Sequence, residues 1–191
     1  MSEFTVLGLS GRAGVGKDYL FNSVLKPLGY HRVALADHFK IWIAGKEEAT
    51  YDEVFNTKPP KIRHLLQQEG TERGRNVYGG NVWCKTLHNW MRLWNENWGI
   101  SKFCITDIRF PNEVEFVQSV GGSVIRIEAP QRQDAKGLSA EARSHLSETA
   151  LDFFSGRFDL VINNDPGESG DTVLKAFLIA SAWGASTEAC L

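Results

Sequence analysis

The stretch Gly11-Arg12-Ala13-Gly14-Val15-Gly16-Lys17-Asp18 stands between an apolar run, Phe4 to Leu9, and a helical pattern that opens at Tyr19. Glycines at this spacing let the backbone curl with its N–H groups turned inward. A helix beginning directly after the curl adds the partial positive charge of its N-terminus, and both favour phosphate oxygens. Lys17 supplies a full charge toward the far end of a polyphosphate. The stretch therefore reads as a phosphate-binding loop between a first strand and a first helix, with Gly11, Arg12, Ala13, Gly14, Val15, Gly16, Lys17 and Asp18 around the phosphates. The pattern G-x-x-x-x-G-K-[ST] is met except at its last position, where Asp18 replaces the hydroxyl that usually touches Mg²⁺. A carboxylate there either holds that cation, directly or through water, or is simply an acidic residue in a first helical turn.

The remaining totals are those of an ordinary soluble globule. At 191 residues the chain suits one domain, residues 1–191, and 42% apolar with 23% charged residues is enough for a real core. A net charge of -2 argues against a dedicated nucleic-acid surface. Cys84, Cys104 and Cys190 are widely spaced and odd in number, which predicts a reduced, cytoplasmic setting without a disulfide framework. No apolar run has transmembrane length, so no membrane role is expected.

Outward from the loop, Tyr19 to Leu25 gives a short helical face, and His31 to Ala36 reads as a second strand. Asp37 follows at a helix N-cap position, where it either caps or, with Lys40, meets a substrate. Residues 44 to 60 are polar and read as a surface excursion. The segment after Leu66 has no apolar residue up to Arg75, and Gly70 and Gly74 would share one helix face, each at a cost of about 1 kcal/mol relative to alanine. That spacing predicts a close approach to the backbone, with Arg63, Gln67, Thr71 and Arg75 forming a polar stripe suited to a phosphate or a base edge. Val82 to Trp98 is plainly helical, with Trp83, Leu87, Trp90, Met91 and Trp94 as an apolar stripe; Trp83 and Lys85, near its start, are the candidates for substrate contact.

Lys102 to Thr106 reads as a buried strand ending in Asp107, the arrangement by which a phosphate-loop enzyme orients Mg²⁺, and Arg109 adds a cation two residues on. Asp18 and Asp107 are thus the candidate metal ligands. Pro111 opens a helix that Gly121-Gly122 closes, and Ser123 to Ile127 forms the next strand. Between Ala129 and Ser147 the apolar pattern disappears, which predicts a mobile lid over about residues 130–147 carrying Arg132 and Arg143. Ser147-Glu148 reads as a helix cap, Phe158 to Ile162 as the last strand, and the Asn163-Asn164-Asp165 turn as a border of the donor base through Asn164.

On these residues the chain resembles the phage-type deoxynucleoside monophosphate kinases, a branch of the P-loop nucleoside monophosphate kinases. The similarity rests on the Gly-Lys-Asp loop ending, Leu35-Ala36-Asp37-His38-Phe39-Lys40, Leu65-Leu66-Gln67-Gln68-Glu69-Gly70-Thr71-Glu72 and Val82-Trp83-Cys84-Lys85. It extends to Thr106-Asp107-Ile108-Arg109-Phe110-Pro111-Asn112-Glu113, His145-Leu146-Ser147-Glu148 and the final Asn-Asn-Asp turn, where Pro166 interrupts the family's Asn-Asp-Gly. The resemblance implies a three-layer α/β fold, a P-loop NTPase with a central, mainly parallel sheet, and transfer of the ATP γ-phosphoryl group to a deoxynucleoside 5′-monophosphate. It places the acceptor region at about residues 37–85, is compatible with a homodimer, and gives ATP and Mg²⁺ as cofactors. Under it, Lys17, Arg109, Arg132 and Arg143 act on the transferring group, while Asp37, Lys40, Arg63, Gln67, Gly70, Thr71, Arg75, Trp83, Lys85, Asp107 and Arg109 surround the acceptor. Two other readings compete: a kinase for another phosphorylated small molecule, with phosphomevalonate the obvious case, and an ATP-binding regulatory module without an acceptor.

Overall fold

The computed structural model describes residues 4–69, 74–133 and 145–188. Its centre is one sheet of five parallel strands in the order β2-β3-β1-β4-β5. The strands are β1 (Thr5–Ser10), β2 (His31–Val33), β3 (Lys102–Ile108), β4 (Ser123–Glu128) and β5 (Leu160–Asn163). A parallel sheet needs crossovers on its faces, and the chain supplies helices for them. They are α1 (Lys17–Leu20), α2 (Asp37–Lys46), α3 (Pro60–Gln67), α4 (Gly74–Tyr78), α5 (Val82–Trp98), α6 (Pro111–Ser119), α7 (Pro130–Gln133), α8 (Leu146–Thr149) and α9 (Gly170–Glu188).

Alternation along the strands divides the core in two. Val6, Phe103, Ile105 and Val124 point to a layer shared with Leu87 and Met91 of α5 and Val114 and Val117 of α6. Leu7, Leu9, Cys104, Ile125 and Ile127 point to the other, against Leu20, Val24 and Leu25 after the phosphate loop and Leu174 of α9. Helices, sheet and helices form the three layers expected. The two described cysteines are buried free thiols, and burial pushes Cys84 up to about 12, which keeps it unreactive.

Several boundaries differ from the sequence reading for local reasons. β2 stops at Val33 because the next amides leave the ladder: Leu35 and Ala36 donate to the carboxylate of Asp107 at 2.8 and 2.9 Å. Asp37 is the first residue of α2 and makes no cap bond; its carboxylate pairs with Lys40 at 2.8 Å and Arg32 at 3.8 Å. The polar excursion contains a π-helical turn, Asp52–Thr57, which buries Val54. α1 likewise runs on as a π-helical segment, Phe21–Leu25, before a 3₁₀ turn at Lys26–Leu28. α5 and the proline-opened α6 form where the sequence placed them.

Candidate active site

The phosphate loop hangs from the C-terminal end of β1, the central strand, where an α/β sheet presents its ligands. Two of its glycines are required by close packing as well as by positive φ. A Cβ at Gly11 (φ 145) would collide with the carbonyl of Ile127 and stand 2.8 Å from Val15 Cγ2. At Gly16 (φ 96) it would strike the side-chain amide of Asn164. Val15 points down into the core, so its part in the loop is played by its backbone. Arg12 turns away to Asp152 at 2.5 Å, and Asp18 is exposed in the first turn of α1.

Asn164 does not face a donor base. It is buried, and its Nδ2 donates to the Val15 carbonyl at 2.8 Å, so it braces the loop from below. The neighbouring Asp165 accepts the Gln131 amide at 3.0 Å and thereby ties α7 to the end of β5. Through that tie Arg132 is held beside the loop, with Nη1 3.8 Å from the space a Gly16 Cβ would fill. Arg143, Gly70 and Thr71 lie outside the described residues, as does most of the lid segment.

Lys17 folds back on its own loop, donating to the carbonyls of Gly11 at 2.6 Å and Arg12 at 2.9 Å. Burial, then the Arg109 guanidinium, hold its ammonium down at about 7, against the opposing pull of Glu148, Asp18 and Asp107. A half-buried cation held this low is a site that gains from compensating negative charge.

Adjoining the loop is a cavity of about 160 Å³ between β3, α2, α3, α5 and α6. Its cations are Lys40, Lys58, Arg63, Arg75 and Arg109, and its flat walls are Phe39, Trp83 and Phe110. Lys40 lies 5.0 Å over the Phe55 ring and is steadied by Asp37, which stays outside the lining. Gln67 lines the cavity beside Arg63. Arg75 is fixed rather than extended to solvent: it pairs with the buried Glu113, stacks 3.8 Å over Phe110 and donates to Gly80 and Asn112. Trp83 faces the cavity, whereas Lys85, two residues on and so across the helix, is exposed and outside the lining.

What approaches the backbone at Gly74 is the chain itself. A Cβ there would run into the indole of Trp83 and stand 2.9 Å from the Glu69 carbonyl, so this glycine admits Trp83.

Glu113 and Glu148 organise the arginines, a role the sequence reading missed. One Glu113 oxygen accepts the amides of Arg109 at 2.6 Å and Phe110 at 3.0 Å, while the other meets Arg75. Burial, partly opposed by Arg75, pushes Glu113 up to about 7. Its position three residues into a helix, after a proline, was the available signal. Glu148 joins Arg109 and also accepts the Ala13 amide of the phosphate loop at 3.0 Å. Lys58 was also missed; it lies in a left-handed turn (φ 47), and burial and the charges of Lys40 and Arg63 lower its pKa.

Asp107 spends one lone pair of each oxygen on the amides of Leu35 and Ala36, and Asp18 is exposed. Among the described residues no group of three or more His, Cys, Asp or Glu could cage a metal. Two carboxylates with spare lone pairs suit a divalent cation that brings its own water and phosphate oxygens.

A model of the deoxynucleotide monophosphate kinase family matches residues 9–169. A protein of Acanthamoeba polyphaga mimivirus, provisionally named a deoxynucleotide monophosphate kinase, is 26% identical over 178 residues, covering 84% of this chain and 88% of its own. The uncharacterized protein ORF77 of Ictalurid herpesvirus 1 (strain Auburn) is 29% identical over 150 residues, 78% of this chain; the match spans 59% of that longer relative. Among solved structures, a sugar kinase from Janibacter sp. HTCC2649 superimposes with a TM-score of 0.54 at 15% identity, covering 92% of each chain. That likeness concerns the fold.

Proposed function

The chain belongs to the deoxynucleotide monophosphate kinase family, whose members are ATP-dependent phosphotransferases, and from that premise we propose how its residues share the reaction. The γ-phosphoryl group of ATP passes to a 5′-phosphate oxygen of a deoxynucleoside monophosphate, giving the diphosphate and ADP. The acceptor is a phosphate monoester with a second pKa of about 6, so it is largely dianionic at neutral pH and needs no general base. The task is to bring two anions together and to stabilise the charge between them.

The loop amides and Lys17 hold the donor phosphates, with Arg132 beside them. Arg109 stands between loop and cavity and serves the transferring group. Lys40, Lys58, Arg63 and Arg75 receive the acceptor phosphate, and Phe39, Trp83 and Phe110 flank its base. Asp18 and Asp107 would hold a magnesium ion, which would supply neutralisation of the phosphate charge. Arg143 closing from the lid, a homodimer and a single domain over residues 1–191 are further parts of the proposal that the resemblance suggests.

The observation that carries this reading is a cation-rich, aromatic-walled cavity joined to the phosphate loop through Glu148, which lines it, pairs with Arg109 and accepts the Ala13 amide. Aromatic walls favour a planar heterocycle over the branched aliphatic chain of phosphomevalonate, and a second site beside the loop speaks against a module that only binds ATP.

The test is ADP formation from Mg-ATP with a panel of deoxynucleoside and ribonucleoside monophosphates and phosphomevalonate, with Lys17→Ala as control. Turnover with a deoxynucleotide that Lys17→Ala abolishes is expected; turnover with phosphomevalonate alone, or ATP binding with no stimulation by any acceptor, would overturn the reading.

A further inference from the structure

Glu148 occupies a place where a carboxylate is costly unless something compensates it. Its side chain is 12% exposed, one oxygen pairs with Arg109, and the other accepts the Ala13 amide at 3.0 Å. Both partners recognise anions: a backbone N–H of the phosphate loop and a guanidinium at the edge of the acceptor cavity. The carboxylate therefore spans from the donor side of the site to the arginine assigned to the transferring group. Four residues on, Asp152 holds Arg12 of the same loop at 2.5 Å and reaches Arg126 of β4 at 3.8 Å. Arg12 and Asp152 are not among the residues that line the cavity. The segment stays anchored through Asp152 if Glu148 alone lets go.

We propose that Glu148 is a positioning residue that stands in for a donor phosphate oxygen in the empty enzyme, and that its displacement by ATP releases Arg109 to the transferring group. The proposal rests on the kinase reading above and adds to it an order of events. The Ala13 amide is partly shielded from water, and Glu148 gives it an acceptor when no nucleotide does. A phosphate oxygen and a carboxylate oxygen cannot both take the inward face of Ala13, so ATP entry expels Glu148. Until then Arg109 is neutralised by a carboxylate of its own chain. Coupling of donor entry to arginine release thus presents Arg109 to the transferring group only once the donor phosphates are in place.

The test is Glu148→Gln in the full chain, with ATP affinity measured by calorimetry and steady-state rates measured with a deoxynucleoside monophosphate acceptor. Glutamine keeps the volume and loses the charge that opposes the polyphosphate. The expected result is about tenfold tighter ATP binding, of the size a charge-assisted hydrogen bond provides. A lower KM for ATP and an unchanged acceptor-dependent kcat at saturating ATP should accompany it. Glu148→Asp, which retains charge but is one methylene short of Ala13, should show the tighter binding in smaller measure and serves if the glutamine variant does not fold. A purely structural role for Glu148 predicts weaker ATP binding and lower rates together; that outcome, or unchanged affinity in a folded variant, overturns the proposal. Wild-type protein that fails to bind ATP would instead overturn the kinase reading itself.

Discussion

Arg109 and Lys17 carry the largest single-residue consequences. Arg109 points at the junction of loop and cavity, while its backbone amide is held at 2.6 Å by Glu113, so its truncation removes a charge without moving the strand end. Arg109→Ala should lower kcat by on the order of 10³ to 10⁵ and leave ATP affinity within a few-fold, as steady-state rates and calorimetry on the same preparation would show. Equal activity in the folded variant would remove the assignment. Lys17 yields a prediction in pH. Its ammonium is held at about 7 in the empty site, chiefly by burial and then by Arg109, with Glu148, Asp18 and Asp107 facing it from the other sign. Polyphosphate favours the charged form, so ATP binding should draw a proton from solution between pH 7 and the ordinary lysine range. Affinity should fall as pH rises through that window. Calorimetry at pH 8 in buffers of unlike ionisation enthalpy measures the uptake; zero uptake would mean that Lys17 is already charged.

Among the elements, the join between α4 and α6 is the most exposed to damage. Arg75 and Glu113 are 11% and 4% exposed, and the same Glu113 receives the amides that open α6. Glu113→Ala leaves a buried guanidinium unpaired and should cost about 3–5 kcal/mol of stability, read from urea denaturation. Elements whose pattern is internal were legible in the sequence: α5 repeats its apolar residues at helical spacing, and Pro111 announces α6. Elements decided by distant partners were not. β2 is cut short by Asp107, seventy-two positions from Leu35, and Glu148 finds Ala13 across 135 positions, so the cap reading gave no hint of its contact with the loop. Asn164 was placed correctly at the loop end of β5, yet its periodicity could not say whether the amide faced a ligand or the underside of the phosphate loop. Gly74 shows the same limit: a tight backbone was foreseen, and Trp83 rather than a substrate fills it.

On the scale of the whole molecule, β1 divides the site: β2 and β3 lead to the acceptor cavity, and β4 and β5 to Arg132 and Asn164. The proposed donor and acceptor sites therefore bear on one sheet. Saturation with Mg-ATP at 100 times its Kd should stabilise the whole by about 2.7 kcal/mol and raise the unfolding temperature in one transition. Chelating the divalent cation with EDTA should abolish turnover and most of that shift; retention of both would remove the metal from the proposal. Among the described residues no helix is long and apolar enough to cross a membrane. The place of β1 also bears on how the chain comes into being. Val6 is in register with Phe103 and Leu7 with Ser123, and the first strand has both its neighbours from the second half of the chain. On the ribosome the phosphate loop is therefore made early and assembled late. Until β3 and β4 have emerged, β1 is an apolar strand with two open edges, the form in which a nascent chain is most in need of a chaperone and most prone to pair with its neighbours on a polysome.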